Sequence, residues 1–163
     1  MKAQCLYLVT LSVSASLFMP ATLVKADIVE TFAIDVDTYI DSRAPTCNYG
    51  VAATAKVVVN GTDGSLARVL LKLPDSMWSI SEGQLLSAKV WFYVWMDRTA
   101  DRTVTLHPLI RGFVEGTCDG TPSGDGATWL TYDGSNSWTC TGGDYDCCVF
   151  VDAVESTNWF SWD

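Results

Sequence analysis

Short runs in which apolar residues alternate with polar ones recur along this chain. Phe32, Ile34, Val36, Thr38 and Ile40 form the first such run. Ala55, Val57 and Val59 form the second, which stops at Asn60 and Gly61. Ala67, Val69, Leu71 and Leu73 alternate with Arg68, Leu70 and Lys72, and that run stops at Pro74. Ala88, Val90, Phe92 and Val94 alternate with Lys89, Trp91, Tyr93 and Trp95; Val104 and Leu106 make a shorter fifth run. Successive side chains on a strand point to opposite faces, so each run predicts a half-buried β-strand. No stretch keeps a helical apolar period over several turns. Short strands punctuated by turn residues predict an all-β, antiparallel β-sandwich.

The N-terminus reads differently. Lys2 precedes an apolar stretch from Leu6 to Met19, and Val24-Lys25-Ala26 supplies compact residues at the −3 and −1 positions. This pattern predicts a signal peptide over residues 1–26, cleaved after Ala26, with residues 27–163 forming a single domain. The apolar stretch is short for a membrane span of about 20 residues. The expected location is secreted, extracellular or at the cell surface.

Charge narrows the partners. The full chain has 10 Lys and Arg against 19 Asp and Glu, a net charge of −9. Lys2 and Lys25 leave with the leader, so 8 basic residues face all 19 acidic ones and the net charge becomes −11. Nucleic acid and anionic membranes favour basic surfaces and are not expected partners. Cys5 also leaves. Cys47, Cys118, Cys140, Cys147 and Cys148 remain as disulfide candidates for an oxidising compartment, and their odd number leaves one over. There is no Cys-x-x-Cys pair and one histidine, His107, which reads as an ordinary strand residue rather than a zinc ligand.

Between Gly112 and Asp146, Gly, Asp, Ser and Thr dominate, with Trp129, Tyr132, Trp138 and Tyr145 set among them. That is the composition of a long ordered loop, since linkers lack so many aromatics. Cys118 and Cys140 bracket it, and a bridge between them is one pairing that would fix its shape. Asn60-Gly61-Thr62 is a glycosylation sequon, relevant in a eukaryotic source.

Ordered motifs then suggest a family. Asp37-Thr38-Tyr39-Ile40, Asn48-Tyr49-Gly50, the Arg68–Leu73 run and the Ser87–Val94 run come first. Phe113-Val114-Glu115-Gly116, Gly126-Ala127-Thr128-Trp129, Tyr132-Asp133-Gly134, Gly142-Gly143-Asp144-Tyr145-Asp146 and Trp159-Phe160-Ser161-Trp162-Asp163 follow. Together they resemble the DNRLRE-domain proteins, a group similar to carbohydrate-binding module family 96 and the disaggregatase-related repeats. The resemblance covers essentially all of residues 27–163. It departs at Phe113, where the family has Trp, and at Leu130, where Asn is usual. It implies a secreted jelly-roll-like sandwich that binds extracellular polysaccharide. It also implies that further C-terminal strands would follow Asp163, leaving an open edge that another chain could fill.

The strand pattern offers a site of its own. If the Ser87–Trp95 run is a strand, Lys89, Trp91, Tyr93 and Trp95 share one face, with alternate residues about 6–7 Å apart. Aromatic rings at that spacing can stack on the weakly apolar faces of pyranose rings. If the preceding strand lies in the same sheet, Arg68 and Lys72 would join Lys89 beside this row, and Arg can bind a carboxylate through two parallel hydrogen bonds. That set suits uronate-containing glycans. The competing reading buries the row beneath the Gly112–Asp146 loop. Trp129 and Trp138 are likewise either exposed stackers or loop anchors.

The carboxylates are less specific. Asp35, Asp37, Asp41, Asp119, Asp125, Asp133, Asp144 and Asp146 suit either a structural calcium ion or ordinary turns. No carboxylate pair stands out as catalytic, and no nucleophile elbow or phosphate loop is present. The leading expectation is therefore a non-catalytic polysaccharide-binding domain. A structural surface, matrix or fibre protein, assembling from copies of itself by strand complementation, comes second. A polysaccharide-degrading enzyme comes third.

Overall fold

The structure is a computed structural model that describes residues 8–14, 27–58, 63–79, 85–94, 103–122, 124–154 and 158–162. Among these the fold is all-β, and every strand pairing is antiparallel. The strands are β1 (Leu8–Ser14), β2 (Asp27–Ala33), β3 (Val36–Asp41), β4 (Cys47–Asn48), β5 (Ala67–Lys72), β6 (Leu85–Val94), β7 (Thr103–Leu106), β8 (Thr121–Pro122), β9 (Val151–Val154) and β10 (Asn158–Trp162). A short 3-10 helix spans Asp75–Ser79. No helix among the described residues is long and apolar enough to cross a membrane.

The chain divides into two compact units. The described residues of the first fall within Val36–Lys72 and His107–Phe150. Those of the second fall within Leu6–Asp35, Leu73–Leu106 and Val151–Asp163.

In the first unit β3 pairs with β5, placing Thr38 opposite Leu70 and Ile40 opposite Arg68. Paired residues share a face, and this face is the core side. Ile40 and Leu70 are buried there with Ala127 and Trp138, and Leu109, Phe113, Trp129 and Tyr132 pack against them. The Gly112–Asp146 region is therefore an ordered lining of the core. Trp138 is an anchor: it is buried, and its Nε1–H donates to the Thr128 carbonyl at 2.9 Å.

Asn48 holds the rest of this unit together. Its Nδ2 donates to the carbonyls of Glu115 at 2.6 Å and Ala127 at 2.9 Å. Its Oδ1 accepts from the N–H groups of Gly50 at 3.1 Å and Cys118 at 3.2 Å. The side chain is fully buried with both donors and its acceptor engaged. Backbone packs against it so closely that a Cβ on Gly116 or Gly126 would lie 2.5 Å from its amide.

In the second unit four strands form one sheet in the order β10-β6-β1-β2, and β7 pairs separately with β9. β1 lies within the segment that the sequence assigns to a leader. It holds an inner position, hydrogen-bonded to β2 on one side and β6 on the other. One face of β6 carries Val90, Phe92 and Val94, all half-buried. The Phe92 ring meets Trp162 edge-on at 5.0 Å, and buried Trp162 donates its Nε1–H to the Val104 carbonyl at 2.9 Å.

Candidate functional site

The opposite face of β6 carries Ser87, Lys89, Trp91 and Tyr93. Ser87 is exposed, Lys89 and Trp91 are half-buried, and Tyr93 is 42% exposed. Strand register extends this face. Trp159 stands opposite Tyr93, and Ser161 opposite Trp91. Across β1, Leu8 links Trp91 to Ala33, Thr10 links Lys89 to Thr31, and Ser12 links Ser87 to Val29. Val29, Thr31 and Ala33 are all exposed, Val29 at 61%. On this face Ser87, Tyr93, Val29, Thr31 and Ala33 are exposed, while Lys89, Trp91 and Ser161 are half-buried. Trp95, the fourth member of the expected row, lies outside the described residues, as does the Asn60 sequon.

The two basic residues expected beside the row belong to a different sheet. Arg68 and Lys72 lie on β5, which pairs with β3, whereas Lys89, Trp91 and Tyr93 belong to the four-stranded sheet. The condition of a shared sheet is not met. Arg68 instead faces the core of its own unit. Its guanidinium lies 5.3 Å from the ring centre of Trp129 and 5.0 Å from that of Tyr145, and donates to the Gly142 carbonyl at 2.6 Å. A long aliphatic stem and a planar cation let Arg fill an otherwise apolar position while its head stays satisfied. Lys72 is exposed at the far end of β5.

A second arginine supports the same loop. Arg111 lies 4.8 Å from the centre of the Tyr132 ring, and its Nε–H donates to Asp144 Oδ2 at 3.0 Å. Asp144 is buried and also accepts from the N–H groups of Cys140 at 2.8 Å and Thr139 at 3.0 Å. Those N–H groups, with Arg111, hold its carboxyl down at about 2. Asp41 resembles it. Burial pushes its carboxyl up, but Lys56 at 2.7 Å, the Arg43 N–H and both cations outweigh that and lower it.

Tyr39 stacks on Tyr49 with ring centres 4.0 Å apart, and burial, with Tyr49, Asp119 and Asp41 nearby, raises its hydroxyl to about 12. Burial also raises Glu115, but its Oε1 is engaged by the Asp37 N–H at 3.3 Å. Among the described residues no three His, Cys, Asp or Glu side chains are placed to hold a metal ion. Asp133 instead accepts from the N–H groups of Ser135 and Asn136, as turn aspartates do.

No disulfide links the described cysteines. Cys47 and Cys118 are half-buried thiols, and Cys140, Cys147 and Cys148 are exposed ones, so the expected Cys118–Cys140 bridge is not formed. Cys118 is positioned instead by Asn48, and Cys140 by Asp144. His107 follows β7 rather than lying within it; its Nδ1 contacts the carbonyls of Asp146 at 3.0 Å and Val149 at 3.2 Å. Both partners are acceptors, so Nδ1 carries the proton.

No protein-family model, curated protein or solved structure matches this chain.

Proposed function

We propose that this protein is a secreted, non-catalytic polysaccharide-binding domain and that the outer face of β6 is its glycan platform. The observation that carries the reading is the placement of Trp91 and Tyr93 two residues apart on one face of β6, opposite the side on which the Phe92 ring meets Trp162. Trp159 is the register partner of Tyr93 on β10. That part of the platform needs only β6 and β10, so it is independent of whether β1 stays with the mature chain. Lys89 is the basic residue on this face suited to a uronate carboxylate, and Arg68 is reassigned to holding the core. The DNRLRE resemblance supports the same substrate class and a jelly-roll-like arrangement of the strands.

The test is affinity electrophoresis through gels containing uronate-rich or neutral polysaccharide. Stacking that buries one aromatic ring contributes about 1.5–3 kcal/mol, so Trp91→Ala or Tyr93→Ala should weaken retardation roughly tenfold or more. Circular dichroism should stay unchanged for Tyr93→Ala. Absence of retardation by every polysaccharide, or equal retardation of wild type and both variants, refutes the platform.

A self-assembling surface protein is the second reading. The four-stranded sheet ends in β2 and β10, and neither pairs further among the described residues. Exposed strand edges can template pairing with another chain. Concentration-dependent oligomers that dissolve when a proline is placed in β2 would favour this reading over glycan binding.

A further inference from the structure

Cys147 and Cys148 are adjacent in sequence, both exposed, and their Sγ atoms lie 3.9 Å apart. The turn that carries them is held from outside. Asp146 Oδ1 accepts from the Cys148 N–H at 2.8 Å. The His107 imidazole reaches the carbonyls of Asp146 and Val149, the two residues that flank the cysteine pair. Its ring lies 4.9 Å from that of Tyr145 and 5.8 Å from that of Phe150, which bracket the same turn. One side chain therefore clasps both ends of a dithiol dipeptide whose two sulfurs lie in contact.

The geometry points to a modification site: Cys147 and Cys148 close into a reversible vicinal disulfide when a low-molecular-weight disulfide such as oxidised glutathione is present. The thiolate of one cysteine attacks the oxidant's S–S bond and releases one glutathione thiolate, leaving a mixed disulfide. The neighbouring thiolate attacks the protein-bound sulfur and releases the second. The two protons lost by the cysteines are taken up by the two released thiolates, and two electrons pass to the oxidant. Closure joins neighbouring residues whose sulfurs lie 3.9 Å apart, so it needs no movement of distant chain. The product is readily reduced, because consecutive Cα atoms sit about 3.8 Å apart, below the roughly 4.4–6.8 Å that an unstrained bridge prefers. Strained, exposed disulfides are the labile ones. Closing the ring also constrains the peptide between the two carbonyls that His107 holds, so the imidazole registers the redox state. The inference stands whether or not the β6 face binds a glycan.

The full-length wild-type chain, free of any histidine tag, is incubated with oxidised glutathione, alkylated with N-ethylmaleimide and mapped by peptide mass spectrometry. The expected result is a peptide containing Cys147 and Cys148 that has lost two hydrogen atoms and carries no label, with full labelling restored by dithiothreitol. His107 is the only histidine in the chain, so its imidazole resonances are identified without assignment work. They should shift on oxidation and return on reduction. Cys148→Ser should retain one glutathione at Cys147 instead of closing. Labelling of both cysteines after oxidation, or linkage of either to Cys5, Cys47, Cys118, Cys140 or a second chain, overturns the site. An unmoved imidazole signal in the closed form overturns the clasp.

Discussion

Replacing Asn48 with alanine tests how the first unit is held. The substitution removes four hydrogen bonds at once: two donated to Glu115 and Ala127 carbonyls, two accepted from Gly50 and Cys118 N–H groups. Leaving a buried polar group unpaired costs about 1–3 kcal/mol, so four independent losses would sum to roughly 4–12 kcal/mol. The upper part of that range is not reached. The vacated space is lined by four polar groups, and a water molecule that enters can satisfy some of them. A loss of about 3–5 kcal/mol is expected, in the tail of single-substitution effects. With a urea dependence of ~2 kcal/mol per molar, the midpoint should fall by about 2 M.

Urea unfolding followed by tryptophan fluorescence reads this directly, since Trp138 is packed against Ala127 in the same core. Asn48→Asp separates loss of contacts from loss of the donor. The carboxylate would place an oxygen against two carbonyl oxygens that now accept from Nδ2, so it should be as destabilising as alanine at neutral pH. Protonation in acid restores one donor and should recover part of the loss. A cost below about 1 kcal/mol for the alanine variant would refute the view that Asn48 ties these loops together.

Two further perturbations probe the same unit. The Asp144 carboxyl sits at about 2 in the folded chain against an ordinary value of 3.8. A depressed folded value stabilises fully above the unfolded value and is lost as pH falls between the two, so wild type should lose stability from about pH 4 towards pH 2. Asp144→Asn should flatten that limb in acid-unfolding curves, and an unchanged limb would remove Asp144 from the account. Gly142 has φ +89°, and an added Cβ would lie 2.7 Å from Trp129 Cζ2, whereas Gly64 has φ +74° with nothing within 4 Å. Gly64→Ala should cost about 1 kcal/mol from backbone strain alone. Gly142→Ala should cost about 2–4 kcal/mol, because the Trp129–Arg68 stack must also shift. Equal thermal shifts for the two variants would show that the stack yields freely.

On β6 alternation assigns residues to two faces, but burial separates those faces only in part: Val90, Phe92 and Val94 are half-buried with Ala88 exposed on one, and Lys89 and Trp91 are half-buried with Tyr93 exposed on the other. The first run misled because period two carries no mark of where a strand stops. Phe32 to Ile40 reads as one strand, yet the chain bends at Asp35, and β2 and β3 join different sheets. The N-terminal stretch shows the same degeneracy. Val9, Leu11 and Val13 alternate with Thr10, Ser12 and Ser14, so a stretch apolar enough for a leader also has the pattern of an inner strand.

On β5 the polarity of the residues concealed the face. Arg68 and Lys72 suggested a solvent side, with Val69 and Leu71 inward. Ala67 is buried on the Val69 and Leu71 face, but Leu70 is buried on the face of Arg68 and Lys72, and Arg68 reaches the core edge between two rings. Composition cannot show this, because an Arg stem hides apolar surface as well as it meets water. Asn48 lies far in sequence from Gly116 and Gly126, and the three meet around one amide. Their spacing therefore serves the scaffold: Asn48 needs backbone on all sides, and only residues without a Cβ let it approach. Trp91 and Tyr93 take no part in that cluster. A sequence that kept the Asn48 hub but lost both rings would keep the scaffold of this unit and lose the proposed platform.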